Sequence, residues 1–207
     1  MILLVLENKL HLTNPADLAR AEECISKQNA VELFETGHLD ELNPGTVEAL
    51  AEIHRCLFSE IYAFAGKIRT VNLAKGNFRF APVLYLEAAL TAIEAMPQST
   101  FDEIIEKYVE MNVAHPFREG NGRSTRIWLD SILKKKLHQV VDWSRVDKSD
   151  YLMAMERSPV KDLEIKVLLH KALTEQINDR QVYMKGIDAS YHYEGYQIFR
   201  TEELAKK

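Results

Sequence analysis

The sequence predicts an all-α fold carrying one small β-hairpin. Two observations lead there: apolar residues recur every three to four positions over most of the chain, and one stretch alternates with period two. A third bounds the size. With 207 residues, 46% hydrophobic and 28% charged, the chain suits one helical domain of ordinary composition.

The first helix is expected over 16–27, with Pro15 where a first-turn proline is tolerated and Leu18, Ala21, Glu22 and Ile25 recurring along it. A longer one is expected over 46–64, behind Asn43, Pro44 and Gly45, with a stripe of Val47, Leu50, Ile53, Leu57 and Ile61. Helices over 83–96 and 102–114 follow, the second opened by Ser99 with Asp102 as an acidic capping box. Residues 121–137 are strongly apolar at Ile127, Trp128, Leu129, Ile132 and Leu133. Shorter helices are expected over 148–157 and 160–174, the latter with Ser158 as cap and Pro159 as first residue. A last one is expected over 188–204, after Gly186. Between two helices, 68–73 and 78–81 flank Lys75, Gly76 and Asn77, a hairpin signal. A lone hairpin is marginal in water, so it is expected to lie on the helices as a flap.

Composition excludes several classes. The apolar run at 2–6 is too short to span a membrane and has no basic residue before it, so a cytoplasmic protein without a membrane anchor is expected. Two cysteines, Cys24 and Cys56, make neither a disulfide framework nor a zinc motif. The net charge of −5 argues against a nucleic-acid surface. That charge is uneven: residues 1–114 carry 9 Lys+Arg against 17 Asp+Glu, and residues 115–207 carry 17 against 14. The sign changes at a stretch holding Arg118, Arg123 and Arg126. Arginines there suggest an anion site, whereas Lys134, Lys135 and Lys136 read as a solvated face.

That stretch runs HPFREGNGRSTR from His115 to Arg126. Gly120 and Gly122 let backbone approach a ligand, and the following helix points its unsatisfied N–H groups at the loop. Arg123 and Arg126, one turn apart, are placed to reach one phosphate chain. Glu119 suits a Mg2+ ion bridging phosphates, and His115 titrates in the range for taking a proton from a hydroxyl. A base, a metal ligand and an anion cradle are what phosphoryl-type transfer requires.

The stretch resembles the Fic-domain pattern HxFx(D/E)GNGRxxR at every specified position. The resemblance implies a Fic-type helical bundle over 45–175, with 1–44 as an N-terminal helical segment packed on it. It implies transfer of AMP from ATP to a Ser, Thr or Tyr hydroxyl of a target protein. In that family's terms His115 is the general base and Glu119 binds Mg2+. Asn121, with the amides of Gly120 and Gly122, holds phosphates that Arg123 and Arg126 also contact, and Phe117 anchors the loop in the core. Relatives acting as kinases carry Lys where this chain has Gly122, and others transfer phosphocholine. The intact glycine favours AMP transfer.

A second match lies near the end of the chain. Ser190 to Gly195, with Glu194 between, fits the family's inhibitory pattern (S/T)xxxE(G/N), which implies that 176–207 form a C-terminal inhibitory helix. Ser190 and Glu194 are i, i+4 and share a helix face, from which the carboxylate is expected to pair with Arg126 where a γ-phosphate would go. Gly195 is expected to weaken that helix from within. Lys75, Asn77 and Phe78 on the flap are the expected docking residues for an extended target segment, and self-modification is expected at Tyr191 or Tyr193. Two other readings stay open. One is a bifunctional enzyme that also removes AMP using Glu194. The other is a catalytically silent docking module. The target is not specified by the sequence, and homo-oligomerisation is left open.

Overall fold

A computed structural model describes residues 5–76 and 78–204, and ten α-helices and two short strand pairs lie among them. Helix α1 spans Pro15–Glu35, capped by Asn14, whose side chain accepts from the amides of Ala16 and Asp17. It continues eight residues past the expected end. The polar residues Glu22, Glu23, Ser26 and Lys27 are buried rather than terminal, and Ala30, Val31 and Leu33 extend the buried face. The short α2 (His38–Glu41) follows, and then α3 (Val47–Phe58), whose cap Thr46 accepts from Ala49 N. α3 stops earlier than expected because the chain turns back on it: Gly66 N donates to His54 Nδ1 (2.9 Å).

The hairpin is present but shorter than its sequence signal. β1 (Ala74–Lys75) pairs antiparallel with β2 (Phe78–Arg79), placing Ala74 opposite Arg79 and Lys75 opposite Phe78. Asn77 lies outside the described residues. α4 (Val83–Glu94) and α5 (Phe101–Ala114) come next. The capping box of α5 is Thr100 with Glu103, one residue along from the expected pair, because Glu103 reaches both the Ser99 and Thr100 amides.

α6 (Asn121–Leu137) is the central helix and packs against α3, α5 and α9. Its Trp128, Leu129, Ile132 and Leu133 are buried with Leu50, Ile53 and Leu57 of α3 and with Ile104, Ile105 and Tyr108 of α5. Trp128 Nε1 donates to Thr46 O at 3.0 Å, so the one polar atom of the largest core ring is satisfied.

A second strand pair was not expected. β3 (Val140–Val141) pairs with β4 (Leu173–Thr174), and a 3-10 turn (Trp143–Arg145) and α7 (Lys148–Arg157) lie between them. That pairing explains the short α8, which spans Leu163–Lys171 rather than 160–174. Leu173 and Thr174 leave the helix for the strand, and Ser158 closes α7 instead of opening α8.

The last long helix, α9 (Arg180–Tyr193), begins eight residues before the expected start, at the cap Asp179. Gly186 lies inside it because Trp143 packs there: a Cβ would sit 3.3 Å from Trp143 Cδ1. Glu194 is its C-cap, and Gly195 (φ +96°) follows in the left-handed region, so Gly195 ends the helix rather than weakening it from within. α10 (Thr201–Leu204) packs back on α1. No helix among the described residues is long and apolar enough to cross a membrane.

Candidate active site

The end of α5 and the start of α6 meet in the loop 115–120, with the flap on one side and α9 on the other. His115 is the C-cap of α5 and adopts φ +50°, ψ +62°, a conformation that costs a non-glycine residue about 1–2 kcal/mol. What holds it there is Arg69. This buried guanidinium donates to the carbonyls of His115 (2.7 Å), Ala114 (3.0 Å), Ala81 (2.5 Å) and Val71 (2.7 Å), and Arg69 N donates to Pro116 O (2.8 Å). One side chain thus ties the flap's roots to the loop. The flap's Phe80 stacks on the His115 ring, with centroids 3.6 Å apart.

The rest of the loop is fixed from beneath. Phe117 is fully buried and stacks on His54 of α3. Asn121 accepts from Phe117 N (2.8 Å) and donates to Phe117 O (2.7 Å), so its amide closes the loop on itself. His54 Nε2 lies 2.8 Å from Glu119 O; since Nδ1 accepts from Gly66, Nε2 is the donor and the ring is neutral. Gly120 has φ +76°, and a Cβ there would lie 2.5 Å from the Phe58 ring. Only glycine fits.

The two arginines of α6 face different partners. Arg123 is 1% exposed; it pairs with Glu22 of α1 (2.5 Å) and Glu119 (3.1 Å), among the rings of Phe58, Tyr191 and Tyr196. Arg126 turns to α9, donating to Ser190 Oγ (2.7 Å), Ser190 O (3.0 Å) and Glu194 Oε1 (2.8 Å). The Glu194 carboxylate lies directly over Gly122: a Cβ there would collide with Oε1. An anion already occupies the first turn of α6, where helix N–H groups and a guanidinium converge. Lys75 at the flap tip, 75% exposed, approaches the other oxygen of Glu194 at 4.0 Å.

The electrostatics follow from burial. Burial pushes the His115 imidazole down to about 4, and the Asn112 carbonyl and Glu194 carboxylate oppose that without cancelling it. The ring is neutral at pH 7. Burial alone would raise the Glu194 carboxyl, but the adjacent Arg126 holds it at about 2. Desolvation also pushes His54 to about 4, while Asp130, buried behind the site, is raised by burial to about 7.

These shifts set a pH profile. Below pH ~6.5 the unfolded chain binds protons on His54 and His115 that the folded chain refuses, so stability falls with falling pH until about 4. Asp130 acts in the opposite sense, because its folded form binds a proton first. Two histidines outweigh the one carboxyl, so the net slope keeps the sign set by the histidines on acidification. The thermal midpoint is therefore expected to be several degrees lower at pH 5 than at pH 7. Equal midpoints would remove the argument.

Residues 44–133 match the family described as Fic/DOC. That stretch, which holds the loop and both arginines of α6, is similar to Fic/DOC domains. Protein adenylyltransferase VbhT of Bartonella schoenbuchensis is 26% identical over 217 residues, covering 94% of this chain and 45% of that protein. The chain thus spans less than half of that relative's length. Probable protein adenylyltransferase y4lH of Sinorhizobium fredii is 29% identical, covering 77% of this chain and 85% of that protein. Among solved structures, BepC of Bartonella tribocorum with bound AMPPNP superposes with TM-score 0.67 at 19% identity, over 83% of this chain and 93% of that one. The N-terminal Fic domain of a Bep effector from Bartonella quintana with bound ADP gives 0.67 at 20%, over 86% and 93%. These likenesses establish the Fic fold, mostly helical with small antiparallel strand pairs.

Of the residues singled out in the sequence, Glu194 lies over Gly122 and pairs with Arg126, which also donates to Ser190, while His115 and Glu119 lie in the loop that leads into Gly122. Arg123 and Asn121 are placed differently. Both were expected at the phosphates, yet Arg123 is buried against Glu22 and the Asn121 amide is spent on Phe117. Tyr191 and Tyr193 are not presented for modification. Both are buried, Tyr191 donating to Ser26 Oγ (2.7 Å) and Tyr193 to Val146 O (2.8 Å), so they anchor α9. Three contributors escaped the sequence reading: Arg69, His54 and Glu22. His54, on the apolar face of α3, carried the one detectable signal.

Proposed function

We propose that this protein transfers AMP from ATP to a hydroxyl of a protein target, and that Glu194 holds the transfer off. The observation that carries the reading is the Glu194 carboxylate seated over Gly122 and paired with Arg126. It marks an anion seat at the α6 N-terminus, filled from within the chain. Relatives named protein adenylyltransferase, and neighbours crystallised with AMPPNP and ADP, support a nucleotide as the anion that replaces it.

The donor set fits a magnesium ion. Glu119 is 43% exposed, and among the described residues its Oε1 accepts from Gly120 N and Arg123 while Oε2 makes no hydrogen bond. One carboxylate oxygen plus phosphate oxygens is the usual magnesium environment. Bound there, the ion neutralises charge on the phosphates. Once Glu194 withdraws, Arg126 and the first-turn amides of α6 orient the phosphate chain. Neutral His115 accepts the proton of the target hydroxyl. The hydroxyl oxygen forms a bond to the α-phosphorus, the bond from that phosphorus to the α,β-bridging oxygen breaks, and pyrophosphate leaves. The flap, whose Phe80 stacks on His115 and whose Phe78 packs on Phe80, with Lys75 at its tip, is the surface on which a target segment docks.

The test uses ATP labelled at the α- or γ-phosphate, with a cell lysate and the Glu194→Gly form. Protein-bound label is expected from α-labelled ATP and not from γ-labelled ATP. Label from the γ position would make the chain a kinase, and label from neither would favour a silent docking module.

A further inference from the structure

We propose that His38, Glu52 and Cys56 form a binding site for one zinc-type divalent ion at the junction of α2 and α3, away from the nucleotide loop. Among the described residues this is the one His/Cys/Asp/Glu cluster whose donor atoms all lie within 4.8 Å of one another. His38 Nε2 is 3.2 Å from Glu52 Oε1, and Cys56 Sγ is 3.5 Å from the same oxygen. A tetrahedral ion with bonds of about 2.0–2.3 Å sets its ligand atoms about 3.3–3.8 Å apart. The Cys56–Glu52 spacing falls in that range and the His38–Glu52 spacing lies just below it.

The local fold explains why the donors meet. Glu52 and Cys56 are one turn apart on α3 and share a face. The turn at Gly37, with φ +75°, starts α2 and brings His38 across to that face. All three residues are half-buried, so an ion can enter from solvent while part of its surroundings is already dry.

Two further contacts suit a metal better than a chance cluster. His38 Nδ1 lies 3.1 Å from Glu41 Oε2, so a second carboxylate orients the ring from behind and leaves Nε2 directed at Glu52. A carboxylate on the far nitrogen is the usual support of a metal-bound histidine. Arg55 donates to both oxygens of Glu52, Nε to Oε2 at 2.6 Å and Nη2 to Oε1, so an ion bound between His38 and Cys56 takes Oε1 over from the guanidinium while Oε2 stays held. Nitrogen, sulfur and carboxylate donors together select zinc over magnesium or calcium, and three protein ligands leave a fourth position for water.

The charges balance. The Cys56 S–H bond breaks as sulfur binds the ion, any proton on His38 Nε2 leaves as that nitrogen binds, and both protons pass to solvent. An ion held there would join α2 to α3, the helix whose His54 supports the motif loop.

The site is tested with metal-free protein and Co2+ as a coloured probe. One equivalent is expected to give a thiolate-to-cobalt absorption band, which added Zn2+ removes. Cys56→Ser is expected to abolish the band. His38→Ala and Glu52→Gln are each expected to weaken Zn2+ binding at least tenfold, measured against a chromophoric chelator, with helical circular dichroism unchanged. Cys24→Ser, which alters the other cysteine, is expected to leave the band intact. No band in the unaltered chain, or a band that survives Cys56→Ser, would overturn the proposal.

Discussion

Replacing Glu194 by glycine is expected to raise the initial rate of AMP incorporation about 10- to 100-fold while lowering stability by about 1–3 kcal/mol. Both effects come from one ion pair. Arg126 is buried, and Glu194 supplies the one carboxylate within reach of its guanidinium among the described residues. Breaking a buried pair by removing one partner costs about 3–5 kcal/mol when the survivor is left alone. Here the survivor is not alone: Ser190 Oγ and O and the Tyr151 hydroxyl still accept from Arg126, which brings the loss below that range. The rate gain has the same origin. If the seat over Gly122 empties only when this pair opens, each ~1.4 kcal/mol of pairing holds activity down about tenfold. Urea unfolding and labelled-ATP kinetics on the same preparation measure both quantities. A variant that is destabilised but no faster would separate the contact from the brake.

The second large effect is on folding. Glu22→Ala is expected to cost about 3–5 kcal/mol, because it strands the Arg123 guanidinium inside the protein. Glu22 is itself buried, and it accepts from Arg123 (2.5 Å), from the Tyr196 hydroxyl (2.6 Å) and from the Tyr62 hydroxyl. Burial would raise its carboxyl, but Arg123 and the two tyrosines hold it below the usual range. Removing Glu22 leaves Arg123 with Glu119 alone, a partner that is partly in solvent. The prediction includes a rescue: replacing both residues by apolar side chains of similar volume is expected to recover much of the loss, since an apolar pair leaves no buried charge. A shift of the urea midpoint worth under about 1 kcal/mol in Glu22→Ala would contradict this account.

Glu22 also shows why part of the site was hidden in the sequence. His115 to Arg126 was legible because its chemistry lies in one continuous stretch, and Ser190 with Glu194 because a helix spaces them on one face. Glu22 and Arg123 are 101 positions apart, and a polar residue on a helix gives no local sign that its partner lies so far along the chain. The same blindness misplaced the end of α1, expected at Lys27; that lysine is buried and pairs with Glu23 and with Asp188 of α9. Arg69 was missed for a related reason. Its partners are four backbone carbonyls, which no pattern of side chains reveals. Gly186 misled in the other direction, since a glycine demanded by Trp143 looks in sequence like a helix boundary.

The central claim is that the His115–Arg126 loop transfers AMP and that Glu194 restrains it. Its most direct test compares AMP incorporation at saturating Mg2+ and ATP by the unaltered chain, by Glu194→Gly, and by Glu194→Gly combined with His115→Ala. The account predicts low incorporation in the first, high in the second and none above background in the third. Equal incorporation by the first two with ATP bound to both, or high incorporation that survives His115→Ala, would contradict it.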